Sequence, residues 1–109
     1  MKAVIDESVP RRLAGALQDR GCDVSTFPQA WKGLNNGELL ARLGEAGFTC
    51  LVTCDKSMRF QQNIKQIGVG IVVLPAQQFD HLIPTISDIE AALRGATPGE
   101  VLVVGQAGD

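Results

Sequence analysis

Three acidic positions fall where an alternating strand and helix chain places its reactive ends. Asp6 and Glu7 close Val-Ile-Asp-Glu, Glu38 opens a helical stretch, and Asp55 closes Leu-Val-Thr-Cys-Asp. The strands of an open parallel sheet end on a common edge, so side chains distant in sequence converge on one crevice there. Carboxylates gathered in this way repel one another unless a hard cation lies between them. Mg2+ and Mn2+ accept such oxygen ligands and also engage phosphate.

Each acid has a structural role that competes with chemistry. Asp6 and Glu7 precede a helix, where negative charge is favoured by about 0.3–1 kcal/mol. Successive strand residues face opposite ways, so Glu7 points away from Asp6 if the strand continues. Asn35-Asn36-Gly37-Glu38 reads as a capping box with Asn35 as the cap, and Asp55 is placed to cap the segment that follows it. Arg11, Arg12, Lys56 and Arg59 come just after the two strand-end acids, where a phosphate would approach; alone, each also reads as a solvated first-turn residue. The amides of Gln61, Gln62 and Asn63 either reach substrate phosphates or face solvent, and Trp31 is read as a core or loop anchor.

The elements that must position these groups follow from periodicity. Lys2–Ile5 is a strand. Ser8-Val9-Pro10 starts a helix with Ser8 as its cap and Val9, Leu13, Ala16 and Leu17 as its buried stripe, and Gly21 ends it. Cys22–Ser25 is a second short strand, Phe27–Leu34 a loop or single turn, and 36–46 a helix. Thr49–Thr53 is the third strand, followed by a helix over 57–66 that sets Phe60, Ile64 and Ile67 on one side. Gly70–Leu74 is continuous and β-branched, as a central strand requires. Phe79, Leu82, Ile83, Ile86, Ile89 and Leu93 recur at helical spacing, interrupted by Pro84, and Glu100–Val104 is the last strand. The expectation is one domain spanning 1–109: a three-layer α/β/α sandwich on a mainly parallel five-stranded sheet.

Composition narrows the function classes. Hydrophobic residues make up 45% of the 109 residues and aromatics 5%, with a formal net charge of −2, so strong generic nucleic-acid binding is disfavoured. A strand begins at once, and no stretch approaches the ~18 apolar residues of a membrane span, so the expected address is the cytoplasm with no membrane contact. Cys22, Cys50 and Cys54 are read as small core residues, and His81 has no Cys/His partner for zinc. Asp-Glu-Ser-Val-Pro stands where a dinucleotide-binding glycine loop would be, and neither a Walker loop nor a Gly-x-Ser-x-Gly elbow occurs.

Met-Lys-Ala-Val-Ile-Asp-Glu-Ser-Val-Pro, Trp-Lys-Gly-Leu-Asn-Asn-Gly-Glu-Leu-Leu and Leu-Val-Thr-Cys-Asp-Lys, in that order, resemble the compact PIN-like proteins, relatives of the ribonuclease toxins of toxin–antitoxin pairs. The resemblance covers most of the chain and is weakest after residue 75. It implies a sheet of order 3-2-1-4-5 and Mg2+- or Mn2+-dependent hydrolysis of RNA. Asp6 and Asp55, with Glu38 directly or through water, would hold the ion as catalytic groups. Arg11, Arg12, Lys56, Asn36 and Gln62 would serve the substrate. A cognate antitoxin and a second copy of the chain are the protein partners it leaves open. The chain departs from the pattern at Asn36 and Ser57, where similar proteins often carry Asp. Fewer acids weaken affinity for a hard cation, so a catalytically silent binding or regulatory module of the same fold is the alternative. A phospho-receiver-like signalling domain is the third reading, at odds with the absence of any lysine after Lys65.

Overall fold

The computed structural model describes residues 1–60 and 68–105. Five strands, β1 (Ala3–Ile5), β2 (Val24–Ser25), β3 (Cys50–Thr53), β4 (Gly70–Val73) and β5 (Val101–Val103), form one sheet in which every pairing is parallel. Helices α1 (Arg11–Gln18), α2 (Asn36–Glu45), α3 (Phe79–Leu82) and α4 (Ile86–Gly95) cover its two faces. The three-layer α/β architecture is therefore as the alternating pattern requires. Among the described residues no helix is long and apolar enough to cross a membrane.

The strand order is 2-1-3-4-5, not 3-2-1-4-5. β1 and β4 are not neighbours; β3 lies between them, in register Ile5↔Val52↔Val72. Burial supplies the reason. The expected order would put β3 at an edge, yet Leu51, Val52 and Thr53 are all 0% exposed. It would also put the two-residue β2, with its half-buried Ser25, in the interior. An edge needs less apolar side chain than a central position, and β2 and the half-buried β5 take the edges.

Alternation of side chains splits the core in two. Ile5, Val52 and Val72 face α1, α3 and α4 through Leu13, Leu17, Leu82, Ile89 and Leu93. Val4, Leu51 and Ile71 face α2 and the 310 turn Lys56–Phe60 through Leu39, Leu40, Leu43 and Met58. The β2-to-β3 and β4-to-β5 connections step the same way across the sheet, but α2 of the first and α3 and α4 of the second lie on opposite faces. The second therefore has the opposite hand to the first, an exception to the near-universal rule for parallel crossovers. Glu90 of α4 holds that crossover beside α1 by pairing with Arg20 at 2.6 Å.

Two local expectations are corrected and a third, the interruption at Pro84, is met. Ser8 does not cap α1: Pro10 holds the cap position with no side-chain bond, because a residue before proline is driven out of helical geometry. Ala14 rather than Ala16 completes the buried stripe of α1. Pro84 divides the last helical run, so a 310 turn Ile83–Thr85 separates α3 from α4 and leaves Ile83 exposed. The rest of the helix expected over 57–66, with Ile64 and Gln62, and Ile67 beyond it, lies outside the described residues.

Gly70 marks where β4 passes close to the α4–β5 connection. A Cβ there would meet the Thr97 carbonyl oxygen at 2.9 Å and the Ala96 Cβ at 3.3 Å. Gly70→Ala is expected to cost about 1–3 kcal/mol, as overpacking against backbone does. A lowered urea midpoint at unchanged slope would register it; an unchanged midpoint would contradict this packing.

Candidate functional site

With this strand order the sheet has its switch point between β1 and β3, since the chain leaves β1 toward one edge and β3 toward the other. Ligands of open α/β sheets bind outside the carboxyl ends of the strands at such a point. Asp6 directly follows β1, and Asp55 follows β3 by two residues. Both line one cleft of ≈ 200 Å3, together with Glu7, Trp31, Leu34 and Asn36.

Asp6 is 9% exposed, and all its side-chain partners are donors. Its Oδ1 accepts from the Ser8 amide at 2.9 Å and the Ser8 hydroxyl at 2.5 Å. Its Oδ2 accepts from the Thr53 hydroxyl. Both hydroxyls also accept from the backbone beyond β3: Cys54 N–H donates to Ser8 Oγ at 3.0 Å, and Asp55 N–H to Thr53 Oγ1 at 3.0 Å. The end of β3 is thus tied to Asp6 through two hydroxyl relays, which fix its rotamer. Thr53→Val keeps the shape and removes one buried donor, so a loss of about 1–3 kcal/mol is expected. Chemical denaturation of Thr53→Val beside Thr53→Ser checks it; equal losses from both would show that the hydroxyl does not matter.

Asp55 repeats the arrangement of Asp6. Its Oδ1 accepts from the Ser57 amide at 2.9 Å and the Ser57 hydroxyl at 2.7 Å. The Ser57 hydroxyl, partly offset by burial and helped by the Ser57 amide and the Asn36 side chain, holds the Asp55 carboxyl below its ordinary value. A carboxylate lowered in the folded state stabilises the fold above the ordinary carboxylate pKa of about 4. That contribution disappears as pH falls through the lowered value.

Of the residues singled out in the sequence, Asp6, Glu7, Asp55, Asn36 and Trp31 come together. Glu38 does not join them: it is exposed, absent from the cleft wall, and its backbone N–H donates to Asn35 Oδ1 at 2.8 Å, the helix-cap role. Its side chain makes no return bond to Asn35, so the capping box is half formed. Arg11 lines an adjoining cleft. Arg12 is committed elsewhere, its guanidinium 4.1 Å from the centre of the Phe79 ring. Lys56 is exposed and lines neither cleft, and Gln62 lies outside the described residues. Trp31 anchors its loop edge-on between Phe27 and Phe48, at 6.2 and 5.9 Å.

Ser8, Thr53, Ser57 and Lys32 are the site residues that sequence reasoning passed over. A signal for the serines was present: Asp6-Glu7-Ser8 and Asp55-Lys56-Ser57 are the same Asp-x-Ser step after a strand. Asp and Ser favour such local side-chain turns. The thiols are free; Cys22 and Cys50 are buried, whereas Cys54 is half-buried beside the site, its Sγ 3.1 Å from the Ala76 carbonyl oxygen. Burial pushes Cys50 up to about 12, so it stays a protonated core residue.

Among the described residues no three His, Cys, Asp or Glu side chains are grouped to hold a metal. Those residues therefore form no dedicated cage. Mg2+, however, usually keeps several waters and is held by one or two carboxylates plus substrate phosphate. Asp6 and Asp55, carboxylates on one cleft that Glu7 also lines, fit that mode of binding. No protein-family model, curated protein or solved structure matches the chain.

Proposed function

We propose that the crevice beyond β1 and β3 is the active site of a PIN-like, Mg2+- or Mn2+-dependent ribonuclease hydrolysing RNA phosphodiester bonds. The observation that carries this reading is the placement of Asp6 and Asp55 on one cleft at the switch point of the sheet. When bound, the divalent ion polarises a phosphoryl oxygen and lowers the pKa of water. Asp6, held by Ser8 and Thr53, and Asp55, held by Ser57, offer it preset carboxylates. Glu38 would act only through water. Asn36 sits on the cleft wall as a neutral amide beside Asp55, placed to meet the substrate. Arg11 is the cation placed to meet an adjacent phosphate. Cleavage of single-stranded RNA in Mn2+, lost in Asp55→Asn, tests the reading.

A silent PIN-like module is favoured by one feature: Ser57 supplies Asp55 with hydrogen bonds, and Asn36 lines the cleft as a neutral amide, where carboxylates would supply ligands. The receiver-like reading shares the 2-1-3-4-5 strand order of that signalling fold. It lacks the phosphate-binding lysine, since none follows Lys65. A cognate antitoxin, if the chain is a toxin, would inhibit by covering this crevice.

A further inference from the structure

The Asp6 cleft has a neighbour of the same ≈ 200 Å3 size, and the two share Asp6, Glu7 and Phe27 as walls. The acids of the second cleft are only those it shares with the first. Its cations, Arg11 and Lys32, belong to it alone, joined by the Gln29 amide. They arrive from separate segments, Arg11 opening α1 and Lys32 following the 310 turn Gln29–Trp31. Among the described residues neither pairs with a carboxylate, whereas Arg20 and Arg94 share Glu90, and Lys2 and Arg12 lie over phenylalanine rings. Phe27 on the shared wall is pinned edge-on by Trp31, so the boundary between the clefts is a fixed aromatic surface.

Unpaired cations beside an aromatic wall are what a single strand requires: charge follows its phosphates, and a flat face accepts any base. We propose that the second cleft is a substrate track for single-stranded RNA. Arg11 and Lys32 seat one backbone phosphate, and the strand passes Phe27 to bring the next phosphate to Asp6 and Asp55. The RNA substrate class rests on the ribonuclease reading; the track is tested without metal, so the two can fail separately.

The measurement is fluorescence anisotropy of a labelled oligouridylate of about 10 nucleotides, within the range of single-strand site sizes, in EDTA at several salt concentrations. Arg11→Gln/Lys32→Gln should weaken binding about tenfold at low salt and flatten the log–log salt slope by roughly 0.7, the share of one phosphate contact on a single strand. Arg42→Gln, which removes one positive charge from an exposed residue outside both clefts, should bind as wild type. Circular dichroism confirms that the double variant folds. The track is overturned if the double variant binds like wild type or if Arg42→Gln loses as much. It is equally overturned if uridine monophosphate competes as well as the oligomer or duplex RNA binds as tightly. RNA binding that depends on Arg11 and Lys32 in a protein that cuts nothing in Mn2+ would remove the hydrolase and keep the track. Cleavage that is indifferent to the double variant would do the reverse.

Discussion

Asp55→Asn is expected to reduce cleavage of single-stranded RNA in Mn2+ by about 10²–10³-fold, because a bound metal ion contributes several kcal/mol to the transition state and each 1.36 kcal/mol is tenfold. Asp55 is the more discriminating of the two carboxylates. Its backbone and hydroxyl donors from Ser57 both reach Oδ1, so an asparagine can keep them through its own oxygen. Asp6 takes donors on both oxygens. Asp6→Asn therefore sets an amide N–H against a hydroxyl, and a comparable rate loss will be accompanied by a loss of stability. Single-turnover cleavage of labelled RNA, with melting curves for each variant, separates the two effects. Activity that survives both substitutions belongs to a contaminant. The structure also ranks the two acids missing from the PIN-like pattern. Asn36→Asp adds a carboxylate to the cleft and should raise activity, whereas Ser57→Asp removes the hydroxyl that holds Asp55 and should help less.

Asn36→Asp carries the second large effect, one that changes sign with metal. Without Mn2+ the variant should melt below wild type, because an amide that assists Asp55 becomes a like charge. With Mn2+ at about 100 times its dissociation constant the native state gains roughly 2.7 kcal/mol. At about 4 °C per kcal/mol that is a rise of roughly 10 °C. Wild type should show the same rise at higher Mn2+, since one fewer carboxylate weakens affinity, and Asp55→Asn should show none. Melting curves of wild type and Asn36→Asp that both ignore millimolar Mn2+ would leave the silent module as the reading.

The fold class was legible because continuous apolar runs at Val4, Leu51 and Ile71 alternate with helical stripes such as Leu39, Leu40 and Leu43. Strand order was not legible from the family resemblance, but burial capacity carried it: Leu51-Val52-Thr53 is too apolar for an edge, and Val24-Ser25 too short for a centre. The correction strengthens the convergence of acids, since it places Asp6 and Asp55 after adjacent strands. Glu38 carries two readings in the sequence, capping-box acid and ligand acid; in the fold its backbone N–H takes the Asn35 cap and its side chain lies off the cleft wall. Lys32 was invisible for a different reason: its partner Arg11 is brought to it by the tertiary path of the Phe27–Leu34 loop, which no periodicity encodes.

The most direct test of the central claim is an anomalous-difference map from crystals soaked in Mn2+. One peak is expected in the cleft bounded by Asp6, Asp55 and Asn36, within coordination distance of both aspartates, with water rather than Glu38 completing the shell. Full Mn2+ exposure with no peak there, or a peak on acids elsewhere in the chain, would contradict that claim.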